Sequence, residues 1–168
     1  MNNIGEEICG CYLQEIRECD FVQYNLHHPT EQGEIDVIGI DIDKRTVYIC
    51  EVATHTKTGL RYTKNGKSVN VERFSNKFEK NIKYARENFA DFKSVFMLWS
   101  PVVKPHQMKD VEEVKQYLKA KFNVEIELIV NDKYWKCLTD LRTFARKETE
   151  ALTSPILRFM QIEENVKH

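Results

Sequence analysis

Apolar residues recur at helical spacing over residues 4–18, where Ile4, Ile8, Cys11, Tyr12 and Ile16 fall on one side. Gly10 interrupts that helix at a cost of about 1 kcal/mol, which points to close packing at its position. Residues 20–26 alternate as a short strand, and the polar stretch 27–33 carries loop breakers. Two strong strands follow at 34–42 and 46–54, joined by a tight connection at Asp43-Lys44-Arg45. Both strands are apolar on both faces, as expected of a sheet centre covered on each side. A basic loop spans 57–69, and an amphipathic helix at 70–88 carries Phe74, Phe78, Ile82 and Ala85 on one stripe. A buried strand at 94–99, a helix at 109–121, a strand at 124–130 and a helix at 132–149 complete the body. Ser154 and Pro155 then start a short last helix, by the preference for Ser at the cap and Pro in the first turn.

The order α-β-β-β-α-β-α-β-α describes one α/β domain over 1–168. The helix at 70–88 crosses between strands 46–54 and 94–99, which makes that pair parallel. At 168 residues the chain suits a single domain that needs no disulfide or structural metal. A 42% apolar and 11% aromatic composition excludes disorder as the main state. The 25 basic and 26 acidic residues leave a net charge of −1, so nucleic-acid binding must come from local clustering. No apolar run is long enough to span a bilayer and the start lacks a secretory apolar region, which predicts a cytoplasmic protein with no membrane partner. The five cysteines show no C-x-x-C pair and no zinc spacing with the histidines, so they read as small buried hydrophobes. Trp99 and Trp135 also read as core.

Two carboxylates stand out. Asp36 and Glu51 lie in otherwise apolar strands, where an unpaired buried charge costs several kcal/mol. A two-residue hairpin loop at Lys44-Arg45 would set 36 against 53 and 51 against 38. Asp36 and Glu51 would then form a diagonal pair on one face, within reach of a shared divalent ion. Mg²⁺ or Mn²⁺ accepts one or two carboxylates and completes its shell with water and phosphate. An acid from the first helix, Glu6 or Glu7, would close the site if that helix packs over this face.

Gly33-Glu34-Ile35-Asp36-Val37-Ile38, followed after a spacer by Cys50-Glu51-Val52-Ala53-Thr54-His55, resembles the core of the PD-(D/E)XK nucleases. The likeness is to small bacterial restriction-endonuclease-like proteins related to archaeal Holliday-junction resolvases. It covers residues 4–56 by motif and about 4–100 by element order, with 101–168 as an α/β extension. The resemblance implies an αβββαβ core with a mixed central sheet flanked by helices, and C-terminal helices besides. It implies a Mg²⁺- or Mn²⁺-dependent endonuclease acting on DNA, with Asp36 and Glu51 as metal ligands and Glu6 as the helical acid.

The family's lysine, two residues after the second acid, is replaced by Ala53. In the family that lysine orients water and stabilises developing negative charge. The missing cation has candidate substitutes in His55 and Lys57 along the strand and in Lys77 or Lys80 on the following helix. The other readings are a nuclease fold that binds nucleic acid without cutting, a protein-interaction domain, and a chance match. Lys57, Arg61, Lys64 and Lys67 form a basic run without an acid, with Tyr62 available to stack on a base, or else a solvated loop. His27-His28 reads as a surface turn, and Tyr84, one turn after Lys80, as an edge residue of the core. Ile156, Phe159 and Met160 fit either a homodimer contact or packing on the body.

Overall fold

The computed structural model describes residues 3–29 and 32–166. Positions 30 and 31 of the expected loop at 27–33 lie outside the described residues. Helix α1 (Ile4–Glu15) begins at an Asn3 cap, whose side chain accepts from the Glu6 N–H. It stops short of residue 18 because Glu18 adopts a left-handed conformation at φ 61°. Gly10 sits where α1 crosses the first strand: a β-carbon there would overlap the Tyr24 ring.

Strands β1 (Phe21–His27), β2 (Glu34–Asp41) and β3 (Thr46–Val52) form an antiparallel meander. After β3 comes a small hairpin, β4 (Thr63–Lys64) and β5 (Lys67–Ser68), and then α2 (Asn70–Asn88). Strand β6 (Lys93–Ser100) pairs parallel to β3. Helix α3 (Pro105–Phe122) leads to β7 (Ile126–Val130), which pairs parallel to β6. Helices α4 (Asp132–Lys147) and α5 (Pro155–Val166) close the chain. The main sheet has five strands in the order β1-β2-β3-β6-β7, antiparallel on one side and parallel on the other.

Two apolar clusters cover the two faces. Phe74, Phe78 and Ile82 of α2, with Val111, Val114 and Leu118 of α3, pack on Ile38, Ile49 and Phe96. On the opposite face Cys9 and Leu13 of α1, Tyr134 and Leu141 of α4, and Leu157 and Met160 of α5 pack on Val37, Cys50 and Trp99. The five cysteines are all free and buried. Among the described residues, no helix is long and apolar enough to cross a membrane.

Three expectations change. The β2–β3 connection holds four residues, 42–45, and pairs Asp41 with Thr46, so the register moves by two positions. Asp41 causes this: its carboxylate accepts the Lys44 N–H at 2.8 Å and pairs with the Lys44 ammonium at 2.8 Å, closing a wider turn. A shift of two keeps every side chain on its face. Helix α3 starts earlier than 109, at Pro105, where proline suits the first turn and Gln107 Oε1 accepts from the Lys104 N–H at 3.0 Å. Trp135 is 63% exposed instead of buried, with the Arg142 guanidinium 5.4 Å from its ring centre.

Candidate metal and phosphate site

Register places the acids. With Val37 opposite Cys50, continuing the ladder by one residue sets Asp36 directly opposite Glu51, closer than the expected diagonal. Both side chains point to the face covered by α2. Helix α2 then supplies what β3 lacks: Lys77 lies 3.2 Å from Asp36 Oδ1 and is ion-paired with Glu51 Oε2. Asp36 Oδ2 also accepts the Val52 N–H at 2.7 Å, which ties the first acid to the strand of the second.

Glu51 is fully buried, and its Oε1 accepts from Asn81 Nδ2 at 2.7 Å. Burial, reinforced by the neighbouring charge of Asp36, pushes its carboxyl up to about 8, against the pull of Lys77 and Asn81. Burial works against the Lys77 charge, yet Glu51 and Asp36 together outweigh it and hold the ammonium above its ordinary range. One cation thus serves two acids. The pocket is short of positive charge by one unit when both carboxylates are ionised.

A cleft of about 70 Å³ opens beside this group, lined by His28, Gly33 and Glu34 on one wall and by Asn76, Lys77, Lys80 and Asn81 of α2 on the other. Lys80 donates to the Gln32 carbonyl, so it holds the β1–β2 loop against α2. His28 Nε2 lies 3.3 Å from Asn81 Oδ1, and its ring meets Tyr84 edge-on at 5.6 Å between centroids.

The other expected residues take different places. Glu6 completes the α1 capping box, accepting from the Asn3 N–H at 3.1 Å, and accepts from Asn25 Nδ2 at 3.4 Å. The register sets Asn25 next to Asp36, so Glu6 stands one strand away from the acid pair. Its helix packs on the face opposite α2. Among the described residues, no three His, Cys, Asp or Glu side chains gather as a metal-ligand group. His55 lies beyond the end of β3 and stacks edge-on to Tyr62 at 5.0 Å, so the cation beside the acids is Lys77, not His55.

Tyr62 is half-buried, with the Arg73 guanidinium 4.1 Å from its ring centre and Phe74 edge-on at 5.7 Å. These neighbours occupy the ring that sequence offered for base stacking. Lys57, Arg61, Lys64 and Lys67 are exposed. Lys64 and Lys67 face each other across the β4–β5 hairpin, whose Asn65-Gly66 turn has φ values of 51° and 76°. Asn-Gly at a two-residue turn is a strong hairpin signal, and here it sits within the stretch that composition marks only as a basic loop. Asn70 anchors the hairpin base by accepting the Tyr62 N–H at 2.9 Å and donating to the Leu60 carbonyl at 3.0 Å.

In comparisons with known proteins, no family model matches the chain, and no curated protein or solved structure matches it either.

Proposed function

We propose that the protein is a metal-dependent nuclease of the restriction-endonuclease-like kind, acting on DNA, in which Lys77 stands in for the lysine replaced by Ala53. One observation carries this reading: two acids from adjacent central strands converge on a single amine delivered by the crossover helix. Burying two acids in a sheet centre and bringing a partly buried lysine onto them costs stability that apolar residues would not, so the arrangement is better explained by chemistry than by packing. With the small β4–β5 hairpin set aside as an insertion before α2, the order α1-β1-β2-β3-α2-β6 also supports the reading.

Asp36 and Glu51 offer hard oxygen ligands, and the missing unit of positive charge fits a divalent cation of the Mg²⁺ or Mn²⁺ type. When bound, such an ion supplies polarisation of the phosphodiester and a water of lowered pKa. Glu51 must give up its proton to serve as a ligand, so cation binding strengthens as pH rises toward 8. Lys77 stabilises negative charge as it develops on the phosphate oxygens. The paired lysines of the hairpin repel each other across the strands, a cost that a phosphate between them would relieve.

The test is plasmid nicking with Mg²⁺ and Mn²⁺, read beside a gel shift in EDTA. Asp36→Ala and Glu51→Ala should each abolish nicking, and Lys77→Met should slow it on the order of 10²–10³-fold. Nicking that survives all three would exclude the mechanism. A second reading, a non-cutting nucleic-acid-binding module, is favoured by the direct pairing of Lys77 with both acids, which supplies each with an internal partner. It predicts salt-sensitive retention in EDTA and no product with any metal.

A further inference from the structure

We propose that His28 is a positioning residue that acts through Asn81 to fix which oxygen of Glu51 is presented to the shared point with Asp36. The inference rests on the reading of Asp36 and Glu51 as ligands of a divalent cation. Its observation is a chain of two hydrogen bonds running inward from the cleft wall. Asn81 is 1% exposed and donates its amide to Glu51 Oε1 at 2.7 Å. With the amide nitrogen so engaged, Asn81 Oδ1 faces His28 Nε2 at 3.3 Å, and that ring nitrogen is the donor.

The outer end of the chain is braced. The His28 N–H donates to the Gly33 carbonyl at 3.2 Å, closing the base of the β1–β2 loop. The Tyr84 ring stands almost perpendicular to the imidazole, at 87°. His28 therefore has a fixed place from which to hold the Asn81 amide.

The consequence for Glu51 is specific. Asn81 occupies Oε1, and Oε2 pairs with the Lys77 ammonium that also meets Asp36. Without the His28 hydrogen bond the contact to Glu51 alone orients the Asn81 amide, and a turned-over amide would set its oxygen against Oε1 of the ionised Glu51. A ligating carboxylate held by an outer hydrogen bond loses about 10–100-fold in metal affinity when that support is removed.

The experiment measures Mn²⁺ affinity of the full chain by calorimetry without DNA, for the native protein, His28→Ala and His28→Gln. Glutamine places an amide N–H near the position of Nε2 and keeps the donor. His28→Ala should weaken Mn²⁺ binding at least about tenfold, and His28→Gln should restore most of it, with melting temperatures close to native. Equal affinity in His28→Ala, or a His28→Gln variant as weak as His28→Ala, overturns the inference while leaving the two acids as ligands. A loss of affinity matched by a loss of thermal stability also overturns it, because a structural role would then suffice. Native protein that binds no Mn²⁺ overturns the ligand assignment and this inference together.

Discussion

Glu51 is the residue on which the pocket turns. Its carboxyl group, raised to about 8 by burial and by Asp36, binds its proton more tightly in the folded chain than in the unfolded one. Between about pH 4.5 and 8 the folded state therefore carries more protons than the unfolded state, and stability falls as pH rises. Glu51's contribution is fully present below its unfolded pKa and is lost on passing through the folded value. Urea denaturation at pH 5 and pH 8 should show this as a decline that Glu51→Gln removes, worth a few kcal/mol. An unchanged slope in Glu51→Gln would mean that the group titrates normally. The pair of acids was legible in sequence, because a charge inside an apolar strand demands a partner. Lys77 was one of four cations that could have answered that demand. Choosing among them needed the end of β3 at Val52, which leaves His55 and Lys57 off the strand.

Among the elements, the β4–β5 hairpin stands apart in having its base tied down and its tip exposed. Asn70, at the start of α2, bonds to both Leu60 and Tyr62, whereas Lys64 and Lys67 extend from the turn without an acid between them. If those lysines contact duplex phosphates, Lys64→Ala with Lys67→Ala should reduce the salt slope of DNA retention by about 2. Thermal stability should hold or rise slightly, since a like-charge pair is removed. An unchanged slope would make the tip a bystander. The apolar stripe predicts helix α2 at its observed bounds, because nineteen residues give the period room to declare itself. The hairpin was hidden because two-residue strands carry no periodicity. The register error came from Asp41, whose hydrogen bonds to Lys44 widen the turn in a way that residue spacing alone does not reveal.

For the whole molecule, residues 101–168, which the motif does not reach, share the sheet and both apolar clusters with residues 4–100. Strand β7 continues the sheet, with Ile129 paired to Trp99, and α3 shares its apolar cluster with α2. Leu157 and Met160 of α5 sit in the same cluster as Leu13 and Trp99. A chain ending at Ser100 loses α3 from one face and α4 and α5 from the other, and should consequently show no cooperative thermal transition by circular dichroism. A sharp melt in that fragment would show that residues 1–100 fold without the rest. The motif reading had no grip on residues 101–168 because they carry no acid or cation at the pocket. Their role is to close the two layers.

Placing the amine on a helix and both acids on strands has one more result. The pocket exists only while α2 lies on the sheet, so the pairing of its charges is a property of tertiary docking and of no single segment. Any movement that lifted α2 would take the one shared ammonium from both acids at once. The helix is in that sense latched by the charges it brings together, and the rim residues that frame the cleft inherit its rigidity.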